Sequence, residues 1–146
     1  MFGLVDTGAL IGFGNSASSI TLGSIIDLTS ISDFAFVMPR NGTLDSISIS
    51  FSVLTALSLV SSSIVVSLGI YTASIGSNSF TLISSINLPA LSDTVTIGTI
   101  ISQSASSLGI SLTIGEKILI GVSATASGLS LVNFVSGYVS AGLNIV

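Results

Sequence analysis

Apolar and hydroxyl-bearing residues alternate along most of this chain, and a period of two predicts strands rather than helices. The clearest stretch runs from Ile47 to Val53, where every second residue is apolar and every intervening residue is serine. One face of such a strand is expected to lie in a core and the other to face water or another surface. No stretch has a persuasive 3.6-residue period, so the sequence predicts an all-β protein.

The same alternation predicts further short strands along the chain. They are expected over residues 19–27, 35–38, 64–72, 80–86, 95–101 and 117–125. Turns or loops are expected at 39–42, 57–63, 73–79, 89–93 and 103–107. The Asn41-Gly42 pair suits a two-residue hairpin turn. Eight to ten antiparallel strands at regular spacing favour one domain over residues 1–146, with a sheet closed on itself or folded into two layers.

The last predicted strand has two different faces, and neither carries a charge. Its aliphatic face is expected to pack in the core and consists of Val135, Val139, Ala141, Leu143 and Ile145. Its second face sets two aromatic residues among small polar ones and consists of Phe134, Ser136, Tyr138, Ser140, Gly142 and Asn144. Such a face suits contact with other protein better than exposure to water.

Composition strengthens the expectation of a partly covered surface. Charged residues are 5% of the chain, against about 25% in a typical soluble protein. Polarity comes instead from 31 serines and 12 threonines, which can be buried with a hydrogen bond at modest cost. The net charge of −4 includes only two basic residues, so no basic track for nucleic acid can form.

Catalytic and metal-binding chemistry has few candidate residues here. The chain has no histidine and no cysteine, which removes the usual general base, thiolate nucleophile and transition-metal ligands. Six acids are scattered singly and are interpreted as turn and capping residues: Asp6, Asp27, Asp33, Asp45, Asp93 and Glu116. A calcium site would need two or three of them to converge, which their spacing does not require. No enzyme activity, cofactor or metal is therefore expected, and the Asn41-Gly42-Thr43 sequon is interpreted as a turn.

Several segments resemble one family. The stretch from Ser123 to Leu143, SATASGLSLVNFVSGYVSAGL, resembles the end of the C-terminal domain of the collagen-like exosporium glycoproteins of spore-forming bacteria. Upstream segments agree with this resemblance at residues 10–16, 26–29, 34–43 and 55–66, so it covers nearly the whole chain. It implies a jelly-roll β-sandwich like tumour-necrosis-factor-like and complement-type heads. Such a head is a trimer that caps a collagen-like stalk, and no Gly-X-Y repeat is present in this chain.

The resemblance also implies a site and a function. It places the last strand near a three-fold axis, and the expected trimer interface consists of Phe134, Ser136, Tyr138, Ser140 and Gly142. The expected function is a structural, trimerising head of a spore-surface protein, in the exosporium or on a spore appendage. The expected partners are two further copies and the stalk of the same protein, without nucleic acid or membrane insertion. The alternative is a recognition head that binds host surface proteins or glycans.

Overall fold

A computed structural model describes residues 2–4, 8–11, 16–20, 23–27, 34–128 and 134–146 of the chain. This described part is all-β, as predicted, and contains no helix. Its strands are β1 Phe2–Leu4, β2 Gly8–Ile11, β3 Ser16–Ile20, β4 Ile25–Asp27, β5 Phe36–Val37, β6 Gly42–Val53, β7 Leu57–Ala73, β8 Ser79–Asn87, β9 Leu91–Val95, β10 Ile100–Ala105, β11 Ile110–Leu112, β12 Lys117–Gly128 and β13 Phe134–Ile145. A helix able to span a membrane is likewise not found among these residues.

The strands form two antiparallel sheets. The five-stranded sheet has the order β1-β13-β6-β10, and β11 pairs with β6 beyond the end of β10. The eight-stranded sheet has the order β3-β2-β12-β7-β8-β4, with β5 also paired to β12 and β9 to β7. The longest strands, β6 and β13 in one sheet and β7 and β12 in the other, are therefore central.

The main core lies between the two sheets, where the alternating sequences meet. The aliphatic and aromatic positions of β6 predicted to face inward are all buried: Ile47, Ile49, Phe51 and Val53. They join one cluster with the inward positions of β7, which are Ile64, Val66, Leu68 and Ile70. The predicted aliphatic face of β13 packs against the same cluster. The period of two thus correctly identified the core face of three long strands.

A second, smaller cluster covers part of the outer face of the eight-stranded sheet. Its buried members are Leu10, Ile26, Tyr71, Ala73, Phe80 and Leu119. The Tyr71 hydroxyl donates a hydrogen bond to the Gly23 carbonyl oxygen at 2.9 Å, and burial raises the pKa of this phenol. The segment around β4 therefore covers part of this sheet from outside, so both faces of β7 are covered near Tyr71.

Two predictions in the first half of the chain were wrong, one of a loop and one of a strand. Residues 57–63 were expected to be a loop, but they form the first part of β7. The pairing of β7 with β9 shifts register between Leu59 and Ser63, and Ser61 has a positive φ of 55°. A bulge of this kind breaks the alternation on which the prediction relied. The expected single strand over 19–27 also divides into β3 and β4, which lie at opposite edges of the same sheet.

The region from 89 to 107 was also assigned incorrectly. The expected turn at 89–93 contains the start of β9, and a turn at Ile97-Gly98 interrupts the expected strand over 95–101. The expected loop at 103–107 is partly β10, which continues to Ala105. Serine-rich composition favoured a loop there, whereas pairing with β6 makes it a strand.

The chain bends at Pro39-Arg40 rather than forming the expected hairpin turn over 39–42, and Gly42 already begins β6. This bend joins β5 of the eight-stranded sheet to β6 of the five-stranded sheet. The Asn41 Oδ1 atom accepts a hydrogen bond from the Ile114 backbone N–H at 2.7 Å. A Cβ on Gly42 would lie 2.8 Å from the Ile145 Cγ2 atom. The Asn-Gly pair therefore lets this segment pack closely against the residues around Ile114 and Ile145.

Candidate interface on the five-stranded sheet

The outer face of the five-stranded sheet is a regular array of small polar side chains, here called the serine face. Antiparallel register arranges its residues in cross-strand rows, with β13, β6 and β10 contributing in that order. The rows are Tyr138-Ser52-Ile100, Ser140-Ser50-Ser102, Gly142-Ser48-Ser104 and the shorter Asn144-Ser46. Because the alternate residues of β6 and β13 fill the core, the serine face necessarily points outward.

The serine face offers hydrogen bonds without formal charge. A hydroxyl can both donate and accept, and the Ser48 and Ser104 Oγ atoms bond to each other at 2.7 Å. These rows contain no aspartate, glutamate, lysine, arginine or histidine. Two such surfaces can therefore meet without repulsion between charges, and their hydroxyls can pair with one another.

The serine face has an apolar end and a shallow groove. Tyr138 is 64% exposed and Ile100 is 66% exposed, and they flank Ser52 in the first row. Leu54, 42% exposed, follows directly after β6. Further along β13, a Cβ on Gly142 would meet no atom within 4 Å. The groove that results is lined by Ser48, Ile49, Ser50, Ser102, Ser104, Ser140, Ala141 and Gly142.

The predicted interface residues do not all lie on this accessible face. Tyr138, Ser140 and Gly142 are exposed on it. Ser136 is only 1% exposed within the subunit, so its side chain is not available there, contrary to expectation. Phe134 pairs with Leu4 of β1, and its side chain lies outside what the structure describes.

Ser136 makes backbone contacts that the local sequence pattern does not contain. Ser136 pairs with Phe2 of β1, and its carbonyl oxygen accepts a hydrogen bond from the Leu54 N–H at 2.9 Å. Its Oγ atom is buried without a hydrogen-bond partner in the described part of the chain. These contacts join Ser136 to segments that are distant in sequence.

Sequence reasoning missed the part of the site that comes from β10. Ile100, Ser102 and Ser104 complete three of the rows, yet the second half of β10, from Gln103 to Ala105, was expected to be loop. The available sign of a strand was that Ile101 and Ala105 alternate with serines, but Gln103 interrupts this alternation. The serines of β6 were correctly predicted to point away from the core, but their neighbours depend on strand order.

Among the described charged residues, Arg40, Glu116 and Lys117 lie in loops or at strand ends outside these rows. Asp45 lies in β6 directly beside Ser46, at the end of the serine face. Within the described residues, no three acidic, histidine or cysteine side chains are grouped so that they could hold a metal ion. The serine face can therefore offer a binding partner a shallow groove, hydroxyl groups for hydrogen bonds and a small apolar area.

Comparison with known proteins adds no relative: no protein-family model matches the sequence, and no curated protein is significantly similar to it. Any functional argument consequently depends on the serine face and on the resemblance in the segments quoted above.

Proposed function

We propose that this chain is a structural head domain that forms a homotrimer through the serine face. The head belongs to a collagen-like spore-surface glycoprotein, in the exosporium or on a spore appendage, and it caps the stalk of the same protein. The observation that carries the proposal is an uncharged, outward-facing array of hydroxyls on the strand that the resemblance places near the three-fold axis.

Covering the serine face removes its apolar end from water. The apolar end formed by Leu54, Ile100 and Tyr138 is the kind of exposed patch that marks protein contacts. In a cyclic trimer with strands near the direction of the axis, equivalent rows of the three copies meet. Apolar ends then contact apolar ends, and hydroxyl rows contact hydroxyl rows.

Strand order supports the jelly-roll form of the proposal. Along the chain, β5 lies in the eight-stranded sheet, β6 in the five-stranded sheet and β7 in the eight-stranded sheet again. The chain crosses three more times, between β9 and β10, between β11 and β12, and between β12 and β13. Repeated crossing between two antiparallel sheets is the connectivity of Greek-key sandwiches, among which are the jelly rolls.

The position of β1 is compatible with a stalk on the N-terminal side. β1 pairs with β13 from Phe2 to Leu4, directly beside the strand that carries Tyr138. Trimerisation through the serine face would bring three copies of β1 around the same axis. Three chains entering from that side would then be held in a common register, which a collagen-like triple helix requires.

Light scattering on the purified chain tests the proposal. We expect a single species of about three times 14.6 kDa, unchanged by a chelator, because uncharged packing needs no ion. A monomer in the micromolar range would contradict the trimer. A trimer that dissociates on addition of chelator would contradict the packing explanation.

The alternative function, a recognition head for host surface proteins or glycans, is favoured by one feature of the same face. Tyr138 projects beside a groove lined by hydroxyls, and an aromatic ring with nearby hydrogen-bonding groups can hold a sugar. This use needs the face to be free. A monomeric chain that binds glycans and loses binding on Tyr138→Ala would support recognition and reject trimerisation through this face.

A further inference from the structure

Asn41 and Gly42 form a pair that is chemically labile in an unfolded chain. The protein has six asparagines, and only Asn41 is followed by glycine. An asparagine side chain can react with the backbone nitrogen of the next residue, and glycine has no side chain to hinder the approach. Asparagine is counted among the thermolabile residues of proteins. Asn41 is also exposed to water, which the second step of the reaction consumes.

The reaction replaces an amide with an acid and needs water as its only co-reactant. The Gly42 backbone nitrogen bonds to the Asn41 Cγ atom, the bond from Cγ to Nδ2 breaks, and ammonia leaves with the proton of the Gly42 N–H. The cyclic imide then takes up one water molecule at either of its carbonyl groups and opens. Opening yields aspartate, or isoaspartate, in which the main chain runs through the side-chain carbons.

The fold holds the side chain of Asn41 in place. Its Oδ1 atom accepts a hydrogen bond from the Ile114 backbone N–H at 2.7 Å. Ile114 lies in the turn over 113–116, where the fourth residue donates to the first carbonyl oxygen at 3.1 Å and Gly115 has a φ of 84°. These values describe a type II turn, so the donor is fixed. Turning the carboxamide towards the Gly42 nitrogen would displace Oδ1 from this donor.

The attacking nitrogen is held as well. Gly42 begins β6 and pairs with Leu112 of β11. The next residue, Thr43, exchanges both backbone hydrogen bonds with Val146, at 2.7 and 2.9 Å. A Cβ on Gly42 would meet atoms at 2.8, 3.1 and 3.2 Å, so neighbouring segments crowd this residue. Rotation of the peptide between Asn41 and Gly42 would therefore break strand pairing.

We propose that Asn41 is a covalent modification site of this protein, converted to aspartate and isoaspartate when this end of the sandwich opens. The folded conformation protects the site through the Ile114 bond and the pairing of Gly42. The rate of conversion is then the rate in unfolded chain multiplied by the fraction of time that both contacts are open. Opening of a strand end is sufficient, because the core residues of β6 lie further along the strand.

Conversion would change this end of the fold permanently. Isoaspartate lengthens the main chain directly before Gly42. The pairings of Gly42 with Leu112 and of Thr43 with Val146 then cannot both keep their register. Either product also adds a negative charge next to the exposed Arg40. None of these residues belongs to the serine face, so the proposal does not depend on trimerisation.

Peptide mapping by mass spectrometry tests the proposal on the full chain, kept in warm, mildly alkaline buffer. A synthetic peptide of residues 37–46 gives the unprotected rate. We expect Asn41 to convert at least about tenfold more slowly in the folded chain than in the peptide. Urea below the unfolding transition should accelerate the conversion of Asn41 and the hydrogen exchange of the Thr43 N–H in parallel.

The variant Ile114→Pro tests the protecting bond. Proline suits the second position of a type II turn but has no N–H, so this variant keeps the turn and loses the bond to Asn41. Conversion should rise by about threefold or more, the effect of one hydrogen bond. Ile97→Pro is the matched control, because it changes the same position of a similar turn, over 96–99, at the other end of β6. It should leave conversion within about twofold.

These measurements can reject the proposal in several ways. It is overturned if Asn41 converts as fast in the folded chain as in the peptide, or if it converts in neither. It is also overturned if Ile114→Pro, shown by circular dichroism to be folded, does not accelerate conversion, or if Ile97→Pro accelerates it equally. If Ile114→Pro does not fold, the urea series decides: constant conversion while exchange at Thr43 accelerates overturns the proposal.

Discussion

Replacing Tyr138 with aspartate is expected to convert the proposed trimer into folded monomers. Tyr138 is 64% exposed in the subunit, so aspartate there costs the isolated subunit little. In the trimer the same change would bury three like charges around one axis. An uncompensated buried charge costs about 3–5 kcal/mol, which is enough to weaken association by more than about a hundredfold. Light scattering measures whether the trimer dissociates, and circular dichroism measures whether the subunit stays folded.

Two control variants separate charge from other effects of this change. Val60→Asp places aspartate at a residue that is 72% exposed on the eight-stranded sheet, and it should remain trimeric. Tyr138→Phe keeps the ring without a charge and should also remain trimeric. A Tyr138→Asp protein that stays trimeric would show that the serine face is not the interface. One that unfolds would show that this face is covered by the subunit itself.

Gly137→Ala is expected to destabilise the subunit strongly, because Gly137 lies where the Phe51 ring packs against β13. A Cβ there would overlap the Ser52 carbonyl oxygen and lie 2.5 Å from the Phe51 Cζ atom. Phe51 is fully buried in the main core, so neither contact can move freely. Overpacking of this kind costs about 3 kcal/mol, which denaturant unfolding measures.

Gly142→Ala is the matched control on the same strand. A Cβ at Gly142 meets no atom within 4 Å, so the isolated subunit should change by less than about 0.5 kcal/mol. Both substitutions are best compared in the Tyr138→Asp background, where association does not add to stability. Equal losses at the two glycines would contradict the packing described for Phe51.

The core could be predicted from sequence because burial and alternation coincide on the long strands. On β6, the regular exchange of apolar residue and serine from Ile47 to Val53 assigned both faces correctly. On β13, the same reasoning correctly predicted that Tyr138 points away from the core. These assignments need only the geometry of one strand.

The remaining features depend on which strands become neighbours. The bulge near Ser61 hid the first part of β7, and serine-rich β10 looked like loop until its register with β6 was known. The burial of Ser136 could not be read from the alternation of β13 either. Rows such as Ser140-Ser50-Ser102 join segments that are distant in sequence, so periodicity along one segment cannot predict them.

The central claim, that copies associate through the serine face, can be tested by measuring distances between copies. Because the chain has no cysteine, a nitroxide can be attached at Ser50→Cys on the serine face or at Ser85→Cys on the eight-stranded sheet. The sheets of a sandwich are about 10 Å apart. We therefore expect label separations below about 20 Å at position 50 and above about 30 Å at position 85. Labels that lie closer together at position 85 than at position 50 would contradict the account. So would the absence of any interaction between labels at both positions, because it would show that the copies do not associate.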